Sequence, residues 1–288
     1  MNIVKISEVK NNLKKLIIEA SFTLPADILD AILKAGDSEK NVNAKKILSL
    51  IVDNAKTAPA CMLPLCQDCG TVYVEILVGK NTCIENFEGI KDEINATVKE
   101  VYLDSCLRKS IVDDPLFERK NTETNTPAII SFGSTDFEGV EINLSLKGGG
   151  SDNCSYLFML SPSTSTEEIT AIVKDLVIKN ATKSCPPIII GIGIGGGASK
   201  VMELAVKAAF RNINVRNSDI RYSSLEDTIL NEVNSTGIGP AGLGGVCTAL
   251  AVNIEFAPCH IAQLPLAVSF LCHSARRASK KISFPQKS

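Results

Sequence analysis

The chain contains 288 residues, of which 45% are hydrophobic and 22% are charged, and its formal net charge is −2 at pH 7. This composition is typical of a soluble globular protein with enough apolar residues for a sizeable core. No stretch reaches the roughly 20 apolar residues that span a bilayer, and the N-terminus lacks the apolar segment of a signal peptide. The near-neutral charge gives no reason to expect a nucleic-acid partner. We therefore expect a cytoplasmic protein.

The first third of the chain is predicted to be mainly helical. Apolar residues recur with a 3.6-residue period over residues 6–20. Pro25 begins and Gly36 ends a second predicted helix. A third helix is predicted over residues 41–55, and a fourth runs from Phe87 to Arg108. Between these two, the alternating sequence of residues 71–79 predicts a strand.

The second half of the chain mixes strands and helices. Residues 140–146 form a predicted strand, and residues 163–181 form a predicted helix with a Ser/Thr-Glu capping sequence. Residues 186–212 form an apolar strand that opens into a glycine turn and a helix. Residues 247–257 and 264–272 are strand-like.

No low-complexity linker and no internal repeat interrupts the chain. We therefore predict one domain over residues 1–288 with an α/β (α+β) fold, helical at its N-terminus and mixed α/β afterwards, with glycine-rich loops.

Glycine-rich turns occur at Gly70 and in "KGGGSDN" (147–153), "GIGIGGGAS" (191–199) and "STGIGPAGLGG" (235–245). Glycine lets main-chain N–H groups approach an anion closely. A nucleotide site at residues 191–199 is weakly supported, because no Lys-Ser/Thr pair follows the glycines and no early βαβ unit surrounds them. Each loop could be a packing turn. Several in one chain favour a ligand with several anionic groups, such as a small dicarboxylate or a cluster.

The stretch "PLCQDCGT" contains Cys66 and Cys69 in a C-x-x-C spacing. This spacing fits a redox pair, half of a zinc site, or a single ligand thiolate beside an acid. No second C-x-x-C and no H-x-x-x-H is present, which argues against four-cysteine and histidine-rich zinc sites. Of the ten cysteines, Cys83 and Cys106 are interpreted as core residues.

Three cysteines lie at strand or loop ends, where sites tend to be built: Cys66, Cys185 and Cys272. They are far apart in sequence, so only the fold could bring them together. Three thiolates with one open position would suit an iron–sulfur cluster that performs chemistry.

The motifs "PLCQDCGT", "KGGGSDN", "CPPIIIGIGIGG", "STGIGPAGLGG" and "CHIAQLPLAVSFLCHSARR" occur in the order found in class I fumarate hydratases. The chain resembles most closely the α subunit of the two-subunit fumarases and L(+)-tartrate dehydratases, over nearly its whole length. The resemblance implies a hydro-lyase that interconverts fumarate and L-malate as a tricarboxylic acid cycle reaction.

The resemblance also implies a [4Fe–4S] cluster. In this family three cysteines hold the cluster, and they match Cys66, Cys185 and Cys272. The fourth iron has no protein ligand and binds the substrate. The Gln-Asp pair that follows the first cysteine matches Gln67 and Asp68, of which Asp68 is expected to handle a proton of water.

Further substrate contacts follow from the same resemblance. The family's substrate-binding arginine matches Arg108, and its histidine before the third cysteine matches His260. The main-chain amides of Gly149 and Gly150 are expected to orient the substrate. The chain departs from the family at Cys69, where threonine is usual, and at residues 261–263, which read Ile-Ala-Gln instead of a serine-containing stretch of small residues.

Single-chain relatives carry a C-terminal domain with further substrate residues and a carbon base, whereas this chain ends at "KKISFPQKS". We expect a separate β subunit to supply that domain, in an α2β2-type assembly. Alternatives are the α subunit of a tartrate dehydratase that forms oxaloacetate, a non-catalytic cluster carrier, and a thiol redox protein that uses Cys66 and Cys69.

Overall fold

The computed structural model describes residues 2–284. The helices are α1 (Ile6–Phe22), α2 (Ala26–Ser38), α3 (Val42–Cys61), α4 (Ile90–Asp104), α5 (Gly149–Asp152), α6 (Thr166–Asn180), α7 (Ala198–Phe210) and α8 (Ile220–Asn234). The strands are β1 (Asn2–Val4), β2 (Thr71–Gly79), β3 (Thr82–Ile84), β4 (Ile129–Thr135), β5 (Gly139–Lys147), β6 (Ser155–Leu160), β7 (Ile188–Gly195), β8 (Ala249–Ala257), β9 (Leu264–Leu271) and β10 (Arg277–Ser283). Helices precede a mixture of strands and helices, which confirms the α/β fold class. Over residues 2–284, no helix has the length and apolarity needed to cross a membrane.

The chain folds into two compact units, each assembled from separate stretches of sequence. Unit 1 comprises Met1–Pro25, Ala58–Gly148 and Arg276–Ser288, and unit 2 comprises Ala26–Thr57 and Gly149–Ala275. Each unit has its own cluster of buried apolar side chains. The assignment of residues 1–288 to one functional domain stays a prediction.

Unit 1 contains a four-stranded sheet in the order β10-β5-β2-β4. β2 is antiparallel to β5 and parallel to β4. The alternation read from the sequence of β2 is confirmed, because Val72, Val74 and Ile76 are buried and pair directly with buried residues of β5. Helices α1 and α4 contribute their apolar faces to the same core. This core supports the loop that leads into β2.

Unit 2 contains a second sheet in the order β6-β9-β7-β8. Every residue of β7 is buried. A Cβ atom on Gly191 would lie 2.1 Å from the carbonyl oxygen of Ala205 in α7, and one on Gly193 would lie 2.1 Å from that of Val201. These glycines therefore let α7 pack directly on the strand. That packing role accounts for the first half of "GIGIGGG" without a nucleotide.

The structure confirms the predicted start of α6 but not the predicted end of α4. The capping box of α6 is confirmed, since Ser165 accepts a hydrogen bond from the Glu168 N–H and Glu168 accepts one from the Ser165 N–H. The fourth helix was predicted to run to Arg108, but α4 ends at Asp104. Cys106 follows with φ of 51°, a left-handed conformation that stops the helix. Arg108 therefore lies in a loop.

Glu39 joins the end of α2 to a glycine loop within unit 2. Its carboxylate is buried and accepts hydrogen bonds from the main-chain N–H groups of Lys40, Asn41 and Val246. Burial alone would raise the pKa of Glu39, but these N–H donors together lower it. A Cβ atom on Gly245 would lie 2.6 Å from Glu39 Oε2, so the loop approaches the carboxylate through a glycine.

We expect Glu39→Gln to lower the free energy of unfolding by about 2 kcal/mol, because charge-assisted hydrogen bonds from buried main-chain donors are lost. The lowered pKa means that the Glu39 contribution is complete above the usual carboxyl pKa and is lost as the pH falls through the folded-state value. Urea unfolding at neutral and acidic pH measures both effects. Glu8→Gln, at an exposed position in α1, is the control. Equal acid sensitivity of wild type and Glu39→Gln would contradict the assignment.

Candidate functional site

The loop between α3 and β2 carries Cys66, Gln67 and Asp68 in unit 1. It is fixed through its last two residues. Tyr102, which is fully buried in α4, donates its hydroxyl hydrogen to the Cys69 carbonyl at 3.0 Å. Gly70 adopts φ of 81°, and a Cβ atom there would lie 2.9 Å from the Lys147 carbonyl oxygen. The loop is therefore held against β5 at a point where only glycine fits.

Asp68 is half-buried, and its two carboxylate oxygens have different surroundings. Oδ1 accepts a hydrogen bond from the Gly70 N–H at 3.0 Å, which is the turn-capping contact typical of a loop aspartate. Oδ2 lies 3.1 Å from the point that a Cβ atom on Gly148 would occupy. The turn contact therefore uses one oxygen and sets the direction of the other, so a capping role and a chemical role are compatible.

The two cysteines of "PLCQDCGT" differ in environment. Cys66 is half-buried, whereas Cys69 is buried. Cys69 Sγ accepts a hydrogen bond from the Arg108 N–H at 3.2 Å and lies 3.9 Å from the Cys66 carbonyl oxygen. Burial raises the pKa of the Cys69 thiol. A thiol kept protonated is a poor nucleophile and a poor metal ligand, so Cys66 is the better candidate for both.

The structure brings Arg108 to the same loop. The Arg108 N–H donates to Cys69. The segment that follows Arg108 is also joined to this loop by Asn125, whose side chain is fully buried. Asn125 accepts a hydrogen bond from the Ser110 N–H at 2.8 Å and donates one to the Gly70 carbonyl at 3.1 Å. The Arg108 side chain is exposed. Its backbone is thus anchored beside the Asp68 loop while its guanidinium is available to a ligand.

The segments that carry Cys185 and Cys272 are joined by a hydrogen bond within unit 2. Cys185 is exposed, with φ of 52°, immediately before the cis Pro186-Pro187 bond and β7. Cys272 is half-buried and directly follows β9. The ring of His273 forms a hydrogen bond through Nδ1 to the Cys185 carbonyl oxygen at 2.9 Å. A carbonyl only accepts, so Nδ1 carries the hydrogen. This bond fixes the two cysteine segments beside each other.

Of the two cysteines in unit 2, Cys272 also has a hydroxyl partner. Its Sγ lies 2.9 Å from Oγ of Ser274, a buried serine. A serine hydroxyl can donate to a thiolate, and hydrogen bonds to the charged form of a group favour that form. Ser274 is therefore suited to support Cys272 as an anionic ligand.

His260 lies on the exposed loop between β8 and β9. Its Nδ1 accepts a hydrogen bond from the Ala262 N–H at 3.1 Å, so Nε2 carries the hydrogen of the neutral ring. Gly149 and Gly150 form the exposed first turn of α5. A Cβ atom on Gly150 would lie 2.9 Å from the Lys183 carbonyl oxygen, so packing alone requires this glycine. Substrate roles for His260, Gly149 and Gly150 stay predictions.

Sequence reasoning missed two buried cations of unit 1. Lys147 is fully buried at the end of β5, and Arg276 is 1% exposed just before β10. The Arg276 Nη1 donates to the Asp68 carbonyl at 2.6 Å. Both lie in motifs quoted above, Lys147 in "KGGGSDN" and Arg276 in "CHIAQLPLAVSFLCHSARR", but the sequence gives no means of telling a buried cation from its exposed neighbours.

A comparison with protein-family models places residues 10–281 in the family described as Fumarate hydratase (Fumerase). The match covers most of the chain. The chain belongs to the fumarate hydratase family. It is therefore an enzyme of the hydro-lyase class, as the motifs predicted.

Curated relatives of this fumarate hydratase family member align over almost its full length. A Methanocaldococcus jannaschii protein, provisionally named L(+)-tartrate dehydratase subunit alpha, is 39% identical and covers 99% of this chain and 100% of its own. The L(+)-tartrate dehydratase subunit alpha of Escherichia coli K12 is 28% identical, over 96% of this chain and 90% of its own. These relatives confirm the predicted resemblance to α subunits.

Within residues 2–284, no group of three or more His, Cys, Asp or Glu side chains could hold a single metal ion. The thiolates of an iron–sulfur cluster bind different irons, so they do not converge on one point. The donor chemistry fits a cluster. None of Cys66, Cys185 and Cys272 is fully buried, unlike Cys69, Cys154 and Cys247, so all three thiols can meet a ligand.

Proposed function

We propose that this chain is the α subunit of a two-subunit iron–sulfur hydro-lyase that reversibly hydrates fumarate to L-malate. The observation that carries the proposal is the loop of Cys66, Gln67 and Asp68, fixed beside Arg108 in a chain of the fumarate hydratase family. The reaction adds water to a dicarboxylate, and two loops anchored to each other supply a ligand thiol, a carboxylate and an arginine suited to it.

The cofactor we propose is a [4Fe–4S] cluster held by Cys66, Cys185 and Cys272. Cys69 is left out because it is buried, its sulfur accepts the Arg108 N–H, and burial raises the pKa of its thiol. When bound, such a cluster supplies a Lewis acid that polarises the bond between carbon and a departing hydroxyl group. Ser274 and His273 support the two ligand segments of unit 2.

Asp68 moves the proton of water in this proposal. In hydration the carboxylate accepts a proton from the water whose oxygen bonds to one carbon of the double bond, and the other carbon takes a proton from the carbon base proposed on the β subunit. In dehydration both proton transfers run in reverse, and Asp68 returns its proton to the departing hydroxyl. Its Oδ1 is held by Gly70, so the carboxylate keeps one orientation during the transfer. Gln67 is exposed beside it and can bind the substrate through its amide.

Arg108 binds one substrate carboxylate. Its planar guanidinium can form two parallel hydrogen bonds to a carboxylate, which fixes both position and angle. The amides of Gly149 and Gly150 and the Nε2–H of His260 are the remaining donors that we assign to substrate binding. Each of them is exposed in the chain and can meet a ligand without unfolding.

The partner we propose is a β subunit that carries the C-terminal fumarase-type domain and the carbon base, in an α2β2-type assembly in the cytoplasm. The support is the term "subunit alpha" in the names of the aligned relatives. We propose no membrane and no nucleic-acid partner.

Dehydration of L(+)-tartrate to oxaloacetate is the second candidate. The aligned curated relatives are named for that reaction, including the one at 39% identity. Tartrate differs from malate by one hydroxyl group, and the same Asp68 and Arg108 roles apply to both. Part of the pocket that separates them is expected on the β subunit.

Anaerobic reconstitution of the α chain with iron, sulfide and the β subunit tests the proposal. We expect conversion of fumarate and L-malate by the complex, and little turnover by the cluster-loaded α chain alone. L(+)-tartrate is assayed in parallel, and a clear preference for it would favour the second candidate. Full activity of purified α chain would overturn the β-subunit requirement, and a loaded complex that converts none of the three acids would overturn the hydro-lyase assignment.

A further inference from the structure

Arg276 has one paired and one unpaired side. It is 1% exposed, and its Nη1 donates to the Asp68 main-chain carbonyl at 2.6 Å. Its Nε and Nη2 are buried and have no hydrogen-bond partner among residues 2–284. A buried, unpaired charged donor costs free energy, so a fold keeps one only when something compensates. Nε and Nη2 form the edge of a guanidinium that binds a carboxylate with two parallel bonds.

The Asp68 carboxylate and the Nε–Nη2 edge of Arg276 both lie near Gly148. A Cβ atom on Gly148 would lie 3.1 Å from Asp68 Oδ2 and 3.6 Å from Arg276 Nη2. The carboxylate oxygen and the unpaired nitrogen thus approach one point that glycine leaves open. Asp68 Oδ1 is held by Gly70, so Oδ2 is the oxygen directed to this point.

The Arg276 guanidinium cannot receive a bulky ligand from solvent, because its nitrogen atoms are buried. Asp68 is already bonded to Arg276 through its main-chain carbonyl, and its Oδ2 lies near the same point beside Gly148 as the Arg276 Nη2. A carboxylate of the same unit is therefore a better partner for this edge than a dicarboxylate substrate.

We propose that Arg276 is a positioning residue of the hydro-lyase site, which holds the Asp68 main chain through Nη1 and places its Nη2 at the point that Asp68 Oδ2 also faces. The proposal rests on the proposed function, in which Asp68 moves the proton of water. A fixed cation behind the carboxylate keeps Oδ1 and Oδ2 aimed and lowers the entropy lost when the reacting state forms.

The first test compares Arg276→Met and Arg276→Lys in the reconstituted complex. Arg277→Met, at the adjacent half-buried arginine of β10, is the matched control. We expect Arg276→Met to lower kcat by about 100-fold with KM changed less than about threefold, because orientation and not substrate affinity is lost. Arg276→Lys should recover part of kcat. Combining Arg276→Met with Asp68→Asn should add little to the loss from Asp68→Asn alone.

The second test measures the protection of the Asp68 loop from hydrogen exchange and does not depend on enzyme activity. Hydrogen exchange of a peptide covering residues 62–71 should be faster by about tenfold in Arg276→Met and unchanged in Arg277→Met. The melting temperature should change by less than about 4 °C, because removing an unpaired buried charge offsets the lost hydrogen bond. A purely structural arginine would instead lower the melting temperature strongly, and that result overturns the proposal.

Two outcomes separate this inference from the proposed function. If the wild-type complex turns over and Arg276→Met does so equally well, the positioning role is wrong and the function stands. If the wild-type complex converts no dicarboxylate but loop exchange rises in Arg276→Met alone, the function is wrong and the anchoring of Asp68 stands. Unchanged exchange in Arg276→Met overturns the anchoring.

Discussion

Replacement of Cys66, Cys185 or Cys272 by serine is expected to abolish hydro-lyase activity, whereas Cys69→Ser is expected to retain most of it. A serine hydroxyl is a far weaker ligand for iron than a thiolate, so each of the three variants leaves one iron of the cluster without its protein ligand. We expect a loss of at least about 100-fold in kcat/KM for each of them. Bound iron and sulfide per chain, measured after anaerobic reconstitution, should fall in parallel.

Cys69→Ser is a sharp control because it lies only three positions from Cys66. Its sulfur accepts the Arg108 N–H inside the fold, and a serine oxygen can accept the same bond. Cluster content should stay at the wild-type level, with activity reduced by less than about tenfold. If Cys69→Ser lost the cluster and Cys66→Ser kept it, Cys69 and not Cys66 would be the cluster ligand. Loss of activity with the cluster intact would favour thiol redox chemistry at the C-x-x-C pair.

Hydrophobic pattern predicted most of the elements that form the two cores, but not α8, β6 or β10. The alternation in β2 predicted which of its side chains are buried, because a period of two places them on one face of the sheet. The apolar run in β7 is buried along its whole length, as expected for a strand covered on both faces. The roles of the site residues came instead from the resemblance to class I fumarate hydratases.

Other features depend on tertiary contacts that no local pattern records. β4 was not predicted, because this edge strand is mostly exposed and has no clear alternation. The sequence predicted that helix α4 runs to Arg108, but the helix ends at Asp104 because Cys106 adopts a left-handed conformation. The burial of Arg276 depends on the pairing of the neighbouring β10 with β5, whose residues are far away in sequence. Long-range pairing therefore decided which polar residues reach the Asp68 loop.

Asp68→Asn is expected to lower kcat for fumarate hydration by between about 100-fold and 10,000-fold, since that is the range over which a positioned acid–base group contributes. Asparagine keeps the shape of the side chain, and its carbonyl oxygen can still accept the Gly70 N–H. The amide cannot accept the proton of water at neutral pH. KM should change little, because Arg108 and the other substrate donors are untouched.

Asp114→Asn provides a matched control for Asp68→Asn in unit 1. Asp114 is also a loop aspartate, and its Oδ1 accepts the main-chain N–H of Leu116 at 2.8 Å, so both substitutions perturb the same kind of turn. It lies outside the Asp68 loop, and kcat should be unchanged. Melting temperature and cluster content, measured for both variants, should match the wild type. If Asp68→Asn lost its cluster, the carboxylate would be a support for the ligand Cys66 and not the group that moves the proton, whereas an intact cluster with a large fall in kcat at constant KM assigns the proton transfer to Asp68.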